Sequence, residues 1–206
     1  MQERRKMDNR ARLEKEVRQA LSGELSKRET ILIRADTPML LQQIGLKNLP
    51  IVFSQRHLRN CLHEKGRNPH WHGLDIELMC SLAELLEEPV AIYDSLSSED
   101  SVVCVLSAVD CDNLPVIASL RLDTEGQYHF EKINSNYLTS VYGKEKLDSA
   151  LGRAIECDFL LYADKKRTQE LGNLIKLQLL DGLPQSEFNK IIHQSNNMSR
   201  EVNADK

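Results

Sequence analysis

The chain has 206 residues, 41% of them hydrophobic and 28% charged, with a formal net charge of −4. Such a composition suits one globular domain with a real core, and it excludes a bilayer-spanning helix because no apolar run approaches the ~20 residues required. The acidic balance also argues against a dedicated duplex-DNA binder, which would carry a basic excess.

The first 28 residues are charged and polar, with apolar residues at Leu13, Val17, Leu21 and Leu25. One apolar residue in every four makes a narrow helical stripe, read as a charged helical extension or linker with one docking seam. Its basic start leads into no apolar run, so no signal peptide is expected. Ile31-Leu32-Ile33 reads as a strand. Asp36 or Thr37 then caps a helix with Pro38 in its first position. Ile51-Val52-Phe53 is another short strand, and Ser54 is the N-cap of a helix that runs to about Leu62. This places His57 at N3, with Leu58, Cys61 and Leu62 on the buried face.

A polar loop over 64–72 precedes an amphipathic helix over 75–86, which Pro89 stops. Apolar runs at 90–93, 101–107, 116–122 and 128–133 read as strands, with turn-rich joints at 94–100, 110–113 and 123–126. Joints this short imply an antiparallel meander. A helix over 144–155, a strand over 159–162 and a helix over 165–177 follow. The expected class is α+β: N-terminal helices on an antiparallel meander of about four to five strands, with further helix at the C-terminus. Residues 29–195 form the single domain and 196–206 a disordered tail. Five scattered cysteines without a C-x-x-C pair point to a reducing, cytoplasmic setting.

Several local patterns occur in order: Leu49-Pro50-Ile51-Val52-Phe53-Ser54-Gln55-Arg56-His57-Leu58, His72-Gly73-Leu74, Leu85-Leu86-Glu87-Glu88-Pro89-Val90, Thr139-Ser140-Val141-Tyr142-Gly143 and Leu161-Tyr162-Ala163-Asp164-Lys165-Lys166. Together they resemble the C-terminal domain of phage MuF-type proteins and of the polyvalent proteins of mobile elements. That group is similar to the barnase, EndoU, colicin and RelE-like nuclease superfamily. The resemblance covers roughly residues 30–195. It implies a small α+β domain at the end of a longer polypeptide, with a toxin- or effector-like role and RNA cleavage without a metal. It further implies an RNA substrate, a neutralising immunity or antitoxin protein, and action in the cytoplasm, its own or that of a target cell. No cofactor, metal or membrane partner is expected.

Cleavage through the 2′-hydroxyl needs a base, an acid for the leaving 5′-oxygen, and groups that stabilise the phosphorane. His57 is the leading acid/base candidate, since imidazole titrates near neutrality and the helix dipole would favour its neutral form. Ser140 and Tyr142 share one face at what reads as a strand end, and His72 is a second candidate; these four make the catalytic set. Asn136, Thr139 and Lys144 from the same stretch, with Lys165 and Lys166 at a helix start, are substrate-binding candidates. Gly143 reads as a turn that lets Lys144 open the next helix. The run Cys61, His63, His70, His72 has atypical spacing for zinc, and Trp71 beside it reads as partly buried. Two other function classes fit the same residues: a non-catalytic phage-associated interaction module, and a nucleotidyl- or ADP-ribosyl-transferase.

Overall fold

The structure, a computed structural model, describes residues 2–26, 28–64, 71–129, 131–175, 180 and 183–192. The expected tail over 196–206 and His70 lie outside the described residues. The chain runs α1 (Gln2–Ser22), β1 (Thr30–Arg34), α2 (Met39–Gln43), β2 (Ile51–Ser54), α3 (Gln55–Leu62), α4 (Ile76–Cys80) and α5 (Leu82–Leu85). It continues through β3 (Ala91–Asp94), β4 (Ser101–Val109), β5 (Pro115–Tyr128), β6 (Glu131–Gly143), α6 (Leu147–Glu156), β7 (Leu160–Ala163) and α7 (Lys165–Ile175). The class is α+β, as expected.

Among the described residues seven strands form one sheet in the order β1-β2-β6-β5-β4-β3-β7. Two features depart from a meander of four to five antiparallel strands. The short apolar runs at both ends of the chain join the sheet rather than standing apart, and β2 pairs parallel with β6. The other pairings are antiparallel. A parallel neighbour needs a long crossover, here the whole chain between β2 and β6.

Alternation along the strands separates two cores. One face carries Ile33, Phe53, Cys104, Ala118 and Val141 and is covered by α1 and α3–α5 through Leu13, Val17, Leu58 and Leu82. The other carries Ala91, Val105 and Ile117 and is covered by α6 and α7 through Leu147, Leu151 and Leu171. Along α1 the stripe is buried at Leu13, Val17 and Ala20, while Leu21 is exposed. No helix among the described residues is long and apolar enough to cross a membrane.

The acidic joint at 123–126 is not a turn. It lies inside β5, which forms one long hairpin with β6. Asp123 takes a positive φ of 47° where the register shifts, and its N–H donates to Asn136 Oδ1 at 3.2 Å. A bulge of this kind absorbs the turn-prone residues without reversing the chain. The stretch 134–144 is accordingly mid-strand over most of its length. The helix expected over 75–86 breaks at Ser81, whose hydroxyl donates back to the Glu77 carbonyl at 2.8 Å, a bond that bends helices. Pro38 is the N-cap of α2 rather than its first helical residue.

Candidate active site

The site grows from the point where β2 stops. Its pairing with β6 covers only Asn136–Leu138, and the chain then turns into α3. Ser54 caps this helix: its Oγ accepts the His57 N–H at 3.0 Å. His57 therefore occupies N3, as its spacing from Ser54 predicts. From here α3 lies against the part of β6 that β2 has left. The Cys61 thiol donates to the Val141 carbonyl at 3.3 Å, and burial pushes this thiol up to about 12. It is a packing group, not a thiolate nucleophile.

The loop before α4 is tied to the end of α3 by three backbone bonds. His72 N–H donates to the Asn60 carbonyl at 3.0 Å, Gly73 N–H to His63 at 2.8 Å, and Leu74 N–H to Cys61 at 2.7 Å. These satisfy carbonyls that a helix C-terminus leaves open. Gly73 sits at φ 60°, a conformation glycine adopts without steric cost. The result is that His72 is held beside α3 and its ring stacks on Tyr142, centroids 5.3 Å apart and 30° between planes.

Between α3, this loop and β6 lies a pocket of about 320 Å³. Helix α3 contributes Arg56, His57, Asn60 and Cys61, the loop contributes His72, and β6 contributes Thr139 and Ser140. Consecutive residues of a regular strand point to opposite faces, so the pairing of Thr139 with Ser140 needs a cause. It is a second bulge: Ser119 faces Ser140 and Leu120 faces Leu138, which leaves Thr139 as the extra residue. Its hydroxyl is committed to the Ser119 carbonyl at 3.1 Å. Among the described residues the Ser140 hydroxyl has no hydrogen-bond partner.

His57 is half-buried, with its ring 6.0 Å from that of Phe53. Its Nδ1 is buried without a hydrogen-bond partner among the described residues, which is unusual for a buried polar atom. Burial is the first cause that holds its pKa below the usual imidazole range, and the positive charge of Arg56 is the second. The direction is the one expected from the sequence. Burial raises the Tyr142 phenol, so this group stays protonated.

The four catalytic candidates thus come together: His57, His72 and Ser140 line one pocket, and Tyr142 backs His72. Several substrate-binding candidates do not join them. Asn136 is fully buried, and its amide nitrogen donates to Thr37 Oγ1 at 2.9 Å and to the Lys47 carbonyl at 3.1 Å. It pins the β1–β2 connection to the sheet. Lys144 follows β6 directly and uses its backbone N–H on Pro115 at 2.8 Å, while α6 starts only at Leu147. Gly143 ends β6 rather than forming a turn; a Cβ there would collide with the Asp110 carboxylate. Lys165 and Lys166 open α7 behind β7, four strands from β6 and so on the order of 19 Å across the sheet at about 4.8 Å per strand. Lys166 pairs with Glu170 at 3.7 Å. Within the histidine run, His63 turns to Trp71, centroids 4.5 Å apart.

Arg56 and Asn60 are the pocket residues that sequence reading passed over. The signal was present as helical spacing, since Asn60 lies three residues after His57 and residues so spaced share a face.

A model of the phage MuF-C-terminal domain family matches residues 64–170, just over half of the chain. The chain belongs to this family. Neither the curated proteins nor the solved structures compared gave a match. The part matched to the MuF C-terminal domain includes His72, Thr139, Ser140 and Tyr142, whereas α3 with Arg56, His57 and Asn60 lies just upstream of it. The two walls of the pocket therefore stand on opposite sides of the family boundary.

Proposed function

We propose that this MuF C-terminal domain is an endoribonuclease that cleaves RNA by acid/base chemistry without a metal. The observation that carries the reading is the meeting of two imidazoles, a guanidinium and an uncommitted hydroxyl in one pocket. His57, kept neutral by burial and by Arg56, takes the proton of the 2′-hydroxyl. The oxygen attacks phosphorus, and the bond to the 5′-oxygen breaks as a 2′,3′-cyclic phosphate forms. His72 gives a proton to the leaving oxygen, with the Tyr142 ring fixing the plane of its imidazole. Arg56 and Ser140 face the phosphorane, where charge develops and preorganised donors act most strongly. A toxin-like setting with a neutralising protein partner, attachment to a longer phage polypeptide and kinship with the barnase-like nucleases belong to the same proposal.

The test is purified protein incubated with total RNA in EDTA, beside His57→Ala. Cleavage is expected to persist with EDTA and to fall by about 10²–10⁴-fold in the variant, the usual contribution of a positioned acid or base. Intact tRNA, rRNA and mRNA after incubation with wild type would sink the proposal.

A further inference from the structure

A strand-binding protein lays a track of cations and aromatic platforms along its groove. Among the residues that line this pocket, Arg56 is the one lysine or arginine. Arg56 lines the pocket and has no ion-pair partner there. Arg59, on the next turn, is spent inside the fold, donating to the Ala20 carbonyl at 3.0 Å and to Gln55 Oε1 at 3.5 Å. Lys165 and Lys166 sit at the far end of the sheet. The Asn60 side chain lines the pocket one turn from Arg56, and its amide has no hydrogen-bond partner among the described residues. An amide offers donors and an acceptor together, the combination that reads a base edge. At about 320 Å³ the pocket lies at the small end of ligand sites.

We infer that the pocket is a single-nucleotide subsite, in which Arg56 holds one phosphate and the Asn60 amide reads the base. Recognition then ends at the nucleotide beside one phosphodiester and does not extend along the strand. The inference rests on the phosphodiester reading of the site but concerns binding alone, so it is tested without catalysis.

Wild-type protein is titrated with each nucleoside 3′-monophosphate, with inorganic phosphate, and with a longer RNA made uncleavable by 2′-deoxy substitution. The best mononucleotide is expected to bind within about tenfold of the longer RNA, about 1.4 kcal/mol. The logarithm of affinity should fall with the logarithm of salt at a slope of about −0.7, one phosphate's worth for a single strand. Arg56→Gln should weaken both ligands and flatten the slope. Asn60→Ala should level the four nucleotides while leaving inorganic phosphate binding unchanged, which also reports an intact fold. A longer RNA bound more than about a hundredfold tighter, with a slope of about −2 or steeper, overturns the inference, as does binding that ignores Arg56→Gln. Nucleotide binding as described without any RNA cleavage would remove the nuclease proposal and keep the subsite. Cleavage of long RNA without nucleotide binding would do the reverse.

Discussion

At His57 two neighbours act in one direction. Burial disfavours the imidazolium, and the Arg56 charge repels it. The folded protein therefore takes up this proton less readily than the unfolded chain, whose histidine titrates near 6.5. Stability linked to the group is whole well above that value, falls as pH drops through it, and levels off below the lowered folded value. His57→Asn is expected to lose less stability than wild type between about pH 7.5 and 5, on either side of that titration, as read by urea unfolding at both values. Equal losses would show an imidazole that protonates freely in the fold. The position of His57 was legible because Ser54 announces a helix start two residues before it. Asn136 shows the opposite case. Its composition suggests a surface turn, yet its amide is satisfied inside by Thr37 and Lys47, about ninety residues away in sequence. Such a partnership leaves no periodic signal.

At the scale of elements, caps and bulges decide which side chains reach the pocket. The Ser54 hydroxyl is the N-cap of α3, the helix that carries four of the pocket residues. Ser54→Ala is expected to cost about 1 kcal/mol, the usual value for losing a cap, measured as a lower urea midpoint with an unchanged slope. The bulge at Thr139 could not be read from the sequence, because alternation assumes one residue per partner and a bulge breaks that count. The same blindness misplaced the β5–β6 reversal. Asp123-Thr124-Glu125-Gly126 has turn chemistry but is held in the ladder, and the strand persists to Tyr128. Tyr128 is anchored there by its hydroxyl, which donates to Glu16 at 2.9 Å.

At the scale of the whole molecule, α1 does more than cover one face. Strand β1 is one of the two outer strands of the sheet, and outer strands expose unpaired backbone groups. Glu16 accepts the Leu32 N–H at 2.8 Å, and Arg12 donates to the Ile33 carbonyl at 3.1 Å. One turn of helix thus occupies bonds that another strand would take. Leu13 and Val17 are buried beside these groups, each worth about 1.5–3 kcal/mol against a typical net stability of about 5–15 kcal/mol. A chain begun at residue 29 is expected to lose cooperative unfolding and to aggregate, checked by thermal melting and size-exclusion chromatography. A sharp melt of a monomer would show that the domain stands without α1.

The early departure of β2 from its neighbour has a consequence in time. The wall made by α3 and the wall made by β6 are separated by about eighty residues of chain, which run through β3, β4 and β5 before returning to pair beside β2. Contacts this distant in sequence form slowly and late. No nascent chain that stops short of β6, and no fragment cut between the two walls, holds a complete pocket. The site comes into being only when the chain has been made through β6 and that strand has joined the sheet.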